Sequence, residues 1–195
     1  MKDKVKLQAR RDLKKEAIIT KCCTAFVKRG LEHTTIIDLC EAAQINPKIM
    51  YDHFETKEAI VVVCAKRCIE NIIKNVEKHA KNITNLFEDI NAMIDDCYEN
   101  RGQIKFFFQV LISPNYKEDI KEYLDKLYEM YAECKQAIHE RLNIPYNYVD
   151  AIFNLMIGVI DYYCLTEDEH YLAVSKDIVF KLVKNLMNDE PIVIE

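Results

Sequence analysis

The sequence predicts an all-α protein, and two observations carry that expectation. Three glycines and four prolines make up seven of 195 residues, too few to punctuate the many tight turns of a sandwich or barrel. Apolar residues recur every three or four positions in about nine stretches, each bounded by capping residues or helix breakers. Half of the residues are hydrophobic and 30% are charged, an ordinary globular composition that can bury a sizeable core.

Ile18, Cys22, Ala25 and Phe26 lie on one face of a first helix that Gly30 stops. Thr35-Ile-Ile-Asp38 is a capping box, and Ile36, Leu39, Cys40 and Ala43 continue it as a short second helix. Asn46-Pro47 supplies an N-cap and a proline at the first helical position, where its missing N–H costs nothing, so a third helix of about two turns runs to Phe54. Thr56 caps a fourth, with Ile60, Cys64, Cys68 and Ile72 recurring every four residues to about His79. Leu86, Ile90, Met93 and Cys97 mark a fifth, stopped near Gly102, and Ile104, Phe107, Phe108 and Leu111 a short sixth. Ile120, Leu124, Leu127, Tyr131, Cys134, Ile138 and Leu142 trace a long seventh, ended by Asn143-Ile-Pro145.

The last two helices are apolar on more than one face. In the eighth, Val149, Ile152, Phe153, Met156, Ile160 and Tyr163 form one stripe, and Leu155, Gly158, Val159 and Tyr162 another. In the ninth, Tyr171, Ile178, Leu182 and Leu186 stand beside Leu172, Val179 and Val183. A helix with two apolar stripes needs two partners, its own core and something else. The expectation is a homodimer whose interface contains Leu155, Gly158, Val159, Tyr162, Leu172, Val179 and Val183; the alternative is a central helix buried within a monomer.

Charge is unevenly distributed. Residues 1–30 carry ten Lys or Arg against three acids, and residues 61–195 carry 15 against 23. A basic end on an acidic body suits polyanion binding at one surface. No apolar run approaches a membrane span, and the basic start lacks the apolar segment of a signal peptide. A cytoplasmic protein with eight reduced cysteines and no membrane partner is expected.

The second and third helices have the layout of a helix-turn-helix, in which the exposed second helix enters the DNA major groove. Leu39, Ala43, Ile45, Met50 and Phe54 lock the pair and leave Pro47, Lys48, Ile49, Tyr51, Asp52 and His53 around the exposed side.

Residues 18–60 resemble the N-terminal domain of TetR-family transcriptional regulators. The resemblance rests on Phe26-x-x-x-Gly30, Thr34-Thr-Ile-x-Asp-Leu39, Ala42-Ala43 and Tyr51-x-His-Phe-x-Thr-Lys-Glu-x-Ile60. It implies an all-helical homodimer of about nine helices. The N-terminal helix-turn-helix (1–56) binds a double-stranded DNA operator, and a helical domain (57–195) binds a ligand and dimerises. It further implies that Thr34 or Thr35, Tyr51, His53 and Lys57 hold phosphates, while Lys48, Ile49 and Pro47 meet bases. Lys57 at a helix N-terminus joins its charge to free backbone donors, which suits a phosphate; Lys48 can donate to guanine and Ile49 can pack on a thymine methyl. Gln44 replaces the glycine common at the turn, and Lys48 and Ile49 replace the usual small and Thr-like residues. The basic extension before Ile18 either tracks the DNA backbone or is a solvated helix face.

The effector is expected to be a largely apolar or aromatic small molecule held among helices four to seven. Its candidate contacts are Cys64, Cys68, Phe87, Met93, Cys97, Phe107, Phe108, Leu111, Tyr128 and Tyr131. A ligand-released repressor is the leading reading. A redox- or metal-sensing regulator using Cys64 and Cys68, one turn apart, and a helical interaction module that does not bind DNA are the alternatives. No nucleophile elbow, glycine loop or metal-ligand spacing is present in the sequence, so no catalytic residue, cofactor or metal is assigned.

Overall fold

A computed structural model of the chain describes residues 2–81 and 86–187. Among the described residues there are nine helices and no strand: α1 (Lys2–Arg29), α2 (Ile36–Ala43), α3 (Pro47–His53), α4 (Lys57–Lys81), α5 (Leu86–Glu99), α6 (Arg101–Ile112), α7 (Lys117–Leu142), α8 (Tyr146–Thr166) and α9 (Glu169–Met187). The basic N-terminal extension is a continuation of α1, and its side chains from Val5 to Lys14 are exposed.

Local chemistry sets the helix ends. Asp38 N–H donates to Thr35 Oγ1 at 3.2 Å while Thr35 N–H donates to Asp38 Oδ2 at 2.8 Å, closing the capping box of α2. Ile49 N–H donates to Asn46 Oδ1 at 2.9 Å, and Ala59 N–H to Thr56 Oγ1 at 3.1 Å. With few glycines available, the chain ends three helices on left-handed non-glycine residues: Gln44 (φ 56°), Asn143 (φ 52°) and Glu167 (φ 59°). At Gln44 the N–H reaches Glu41 O, and Ile45 N–H reaches Cys40 O, both at 3.0 Å. This is a Schellman end, built at a cost of about 1 kcal/mol relative to glycine.

The chain forms two compact units. The first comprises residues 1–70 and 105–123. Its core draws Ile18, Cys22 and Phe26 from α1, Leu39 from α2, Met50 from α3, Ile60 and Val61 from α4, and Phe106 and Val110 from α6. Phe26 and Phe106 stack at 5.0 Å. Gly30 takes φ 80°, and Leu31 N–H then donates to Gln109 Oε1 at 2.8 Å. Compactness therefore does not divide the chain at residue 56, because the start of α4 is packed into the first unit.

The second unit comprises residues 71–104 and 124–195. Its best-paired elements are α8 and α9, which bury Val159, Val179 and Val183, all at most 4% exposed. Tyr131 packs edge-on against Phe153 at 5.3 Å, and Tyr98 stacks on Tyr163 at 5.6 Å. Over an 18-residue window α8 reaches a mean hydropathy of 1.4, enough by composition alone for a membrane span. Eight of its side chains are buried in the unit, which accounts for part of that apolarity, and an outward stripe accounts for the rest.

Candidate nucleic-acid interface and effector cavity

Met50 is fully buried and Phe54 is 4% exposed, and these two anchors fix the rotation of α3. Burying each contributes about 1.5–3 kcal/mol. The opposite face then presents Pro47, Lys48, Tyr51 and Asp52 to solvent, with Ile49 and His53 half-buried. Early α3 residues are thus available to base edges, as the helix-turn-helix geometry requires.

The basic part of α1 converges on the end of α3. Arg11 Nη2 donates to the Asp52 carbonyl at 3.1 Å, and Lys15 Nζ lies 5.1 Å from the centre of the Phe54 ring. Burial lowers the His53 imidazole below its ordinary value, and the charges of Arg11, Lys14 and Lys15 lower it further, outweighing Asp52. Lys57 is half-buried in the first turn of α4.

Thr34 departs from expectation. It is fully buried, and its hydroxyl donates to Gly30 O at 2.6 Å, closing the α1 end and removing the side chain from the surface. Thr35 is exposed, but its hydroxyl also serves the capping box with Asp38. Hydrogen bonds from Thr35 hold the Asp38 carboxyl below the usual range, and an ion pair with Arg29 adds to this.

In the second unit a cavity of about 30 Å³ is lined by Val76 and His79 of α4, Asp89, Ile90 and Met93 of α5, Cys134 and Ile138 of α7, Ile144, and Val149, Ile152, Phe153 and Met156 of α8. The walls are apolar apart from His79 and Asp89, and His79 Nε2 lies 2.6 Å from Asp96 Oδ2. Among the expected effector contacts, Met93 lines this cavity. Cys64, Cys68, Phe107, Phe108 and Leu111 belong to the first unit, where Cys64, Cys68 and Phe107 are buried in the core and Phe108 and Leu111 are half-buried. Tyr128 points outward at 61% exposure. Cys97 and Tyr131 belong to the second unit but are not among the lining residues. The Phe87 and Leu186 side chains lie outside the described residues. Periodicity missed α8 as a wall because its inward stripe reads as ordinary core.

The outward face of α8–α9 also differs from the expected one. Leu155, Gly158, Tyr162 and Leu165 on α8 are exposed, as are Val174 and Ile178 on α9. A Cβ on Gly158 would meet nothing within 4 Å. Val159, Val179 and Val183 face inward instead, and Leu172 is half-buried. On α9 the expected interface residues Val179 and Val183 are buried, and Ile178 is exposed instead. Cys64 and Cys68 are both buried, and among the described residues no group of three potential ligands is arranged to hold a metal ion.

Residues 18–64 match the family described as bacterial regulatory proteins, tetR family. That match places this segment with the TetR family. It is 24% identical over 170 residues to IcaR of Staphylococcus epidermidis, the HTH-type negative transcriptional regulator of the biofilm operon icaADBC, covering 87% of this chain and 77% of IcaR. It is 30% identical over 122 residues to YerO of Bacillus subtilis, an uncharacterised HTH-type transcriptional regulator, covering 58% of this chain but only 41% of YerO. Its fold is similar to that of the Bacillus subtilis transcriptional regulator FadR in complex with stearoyl-CoA, with a TM-score of 0.64 at 17% identity, covering 86% of this chain and 97% of FadR.

Proposed function

We propose that this chain is a TetR-family transcriptional repressor that binds a palindromic operator as a homodimer and is released by a small, largely apolar effector. The observation that carries this reading is the locked α3, whose buried Met50 and Phe54 leave Pro47, Lys48 and Tyr51 facing outward. Residues 1–56 serve DNA binding, and residues 57–195 serve effector binding and dimerisation. Lys48, Ile49 and Pro47 meet bases, and Thr35, Tyr51, His53 and Lys57 hold phosphates. Arg11 and Lys14 extend the positive surface beyond α3. That IcaR is a negative regulator supports repression over activation.

The stripe of Leu155, Gly158, Tyr162 and Leu165 on α8, with Val174 and Ile178 on α9, supports a helical dimer interface. Two-fold symmetry then presents two copies of α3 to half-sites about 34–36 Å apart or multiples of this.

Helix α4 supplies the coupling, since it carries Lys57 in its first turn and Val76 and His79 at the cavity. A cavity of about 30 Å³ holds little more than one water, so a drug-sized effector must displace its walls, α4 among them. An apolar effector with one polar group suits walls that are apolar except at His79 and Asp89. The stearoyl-CoA bound by FadR is consistent with an apolar effector. A coupling of about 1–3 kcal/mol gives a 5- to 150-fold loss of operator affinity, enough for induction.

Fluorescence anisotropy with DNA from upstream of the gene and with random DNA, each titrated across salt, tests this reading. Competitor-resistant binding to the upstream DNA is expected. Equal weak binding to both that vanishes with salt would reduce the interface to a polyanion-binding surface.

A further inference from the structure

We propose that the stretch of α1 ahead of Ile18 is a stiff basic arm whose Lys6, Arg10 and Lys14 hold backbone phosphates of duplex DNA beyond the reach of α3. Resting on the DNA-binding reading of α2–α3, the inference adds to it a second contact surface, blind to sequence, and a minimum length of duplex.

The arm is part of the fold and leaves it beside the end of α3. Helix α1 runs from Lys2 to Arg29, but its buried face begins only at Ile18. From Val5 to Ile18 a helix advances about 20 Å. Arg11 Nη2 donates to the carbonyl of Asp52, in the last turn of α3, at 3.1 Å, and Lys15 Nζ lies 5.1 Å from the centre of the Phe54 ring. On α4, Arg67 pairs with Glu16 and donates to Thr20 Oγ1 at 2.9 Å. Two helices thus brace α1 where the arm begins, and positive charge continues from the end of α3 on to the arm.

Charge is sorted around the arm. Between Val5 and Ala17 there are five Lys or Arg and two acids, Asp12 and Glu16. Lys6, Arg10 and Lys14 stand four residues apart and share one face. Asp12 is two residues from both Arg10 and Lys14, which places it on the far side. Both acids are engaged: Gln8 Nε2 donates to Asp12 Oδ1 at 2.8 Å, and Glu16 is paired with Arg67. The side chains of Lys6, Arg10 and Lys14 are exposed and have no hydrogen bond or ion pair among the described residues. Like charges one turn apart repel, so the row costs the isolated chain stability, and a polyanion relieves that cost.

Duplex DNA fits the row in spacing and position. Three cations about 6 Å apart along the helix span several phosphates of one strand, which rise about 3.4 Å each. An arm of about 20 Å covers at most about six base pairs at that rise. Val5, Leu7 and Leu13 are exposed as well, which makes an anionic lipid surface the competing occupant. Leu7 is two residues from Val5, however, so these side chains do not form the continuous apolar face that seats a helix in a membrane surface. The join to α3 through Arg11 and Lys15 favours DNA.

The test follows fluorescence anisotropy of the full chain and of the triple variant Lys6→Gln, Arg10→Gln, Lys14→Gln. Glutamine keeps helix propensity, and equal urea midpoints show that only exposed charge has changed. On a long random duplex the slope of log affinity against log salt should fall by about two to three units per protomer. Between 50 and 200 mM salt the wild type should then lose roughly 40-fold more affinity than the variant. On the upstream DNA segment that the protein protects, removing about six base pairs from each flank should weaken the wild type to the level of the variant and leave the variant unchanged. An unchanged slope, or a trimming loss equal in both proteins, would overturn the proposal and leave recognition by α3 standing. Equal wild-type binding to upstream and random DNA would remove the operator reading instead, and the slope on random DNA would still decide for or against the arm. Cosedimentation with phosphatidylglycerol vesicles that the variant loses, beside an unchanged DNA slope, would assign the row to lipid. If the triple variant does not fold, Arg10→Gln alone should lower the slope by about one unit.

Discussion

The helix pairs α2–α3 and α8–α9 pose the same problem, which face turns inward, and solve it by different means. In α2–α3 a capping box, Asn46, Pro47 and a tight left-handed turn at Gln44 set where each helix begins and ends. Met50 is the apolar side chain that α3 buries completely, so its rotation follows from sequence. In α8–α9 each helix offers two apolar stripes, and packing within the unit buries Val159, Val179 and Val183 as the inward set. The lesson is that helix ends and a single anchor determine a face locally, whereas a helix apolar all round has its face assigned by its neighbour.

The sharpest way to break this comparison is to remove one lock from each pair. Met50→Ala should destabilise the chain by about 2–5 kcal/mol, read from the urea midpoint, because a fully buried side chain is lost and a cavity remains. Operator binding should fall with it. Val183→Ala, also at a fully buried position, deletes fewer atoms and should cost about 1–3 kcal/mol while leaving DNA contacts in the folded fraction intact. Equal loss of operator affinity per folded molecule in both variants would show that α3 is not the reading element.

The outward stripe gives the next effect. Gly158→Leu adds a side chain where nothing lies within 4 Å inside the protomer, so the monomer should fold normally while the dimer dissociates, by light scattering. Helix propensity favours the change by up to about 1 kcal/mol, so a lost dimer in a folded chain reports the interface alone. An intact dimer would remove Gly158 from the seam.

Much of the fold was legible because its signals are local. Caps at Thr35, Asn46 and Thr56 and breaks at Gly30 and Asn143-Ile-Pro145 stand in the sequence as they stand in the structure. The site was legible where exposure follows from those signals, as for Lys48 and Tyr51. Thr34 was not, because two adjacent threonines are equivalent until one hydroxyl finds Gly30 O. The cavity of the second unit was least legible: a buried Met or Phe on a helical stripe looks the same whether it faces a cavity or a packed core.

A smaller effect separates structure from binding. Burial raises the Asp161 carboxyl to about 6, above its unfolded value, so the associated stability is present at low pH and is lost as pH rises through 6. Asp161→Asn should add about 1 kcal/mol at pH 7, a figure discounted for the partly exposed position, and should flatten the rise in stability between pH 7 and pH 5. Denaturation midpoints across that range check it. Lys57→Ala should lower the slope of log affinity against log salt by about one unit per protomer on specific and random DNA alike; an unchanged slope would remove Lys57 from the phosphate contacts.

The smallest effect tests whether α2–α3 is held as firmly as its local signals imply. Gln44 sits at φ 56° and ψ 43°, where a Cβ is unfavourable, and its backbone N–H closes the end of α2. Gln44→Gly relieves that strain but frees the unfolded chain, so the net gain should be about 0.5–1 kcal/mol. Because Gln44 is exposed, its side chain contributes little packing to offset the gain. If the pair is already rigid, the variant should raise the urea midpoint and leave operator affinity unchanged. A change in affinity without a change in midpoint would mean that the turn adjusts the angle of α3 to its groove, and that Gln44 tunes recognition through the backbone.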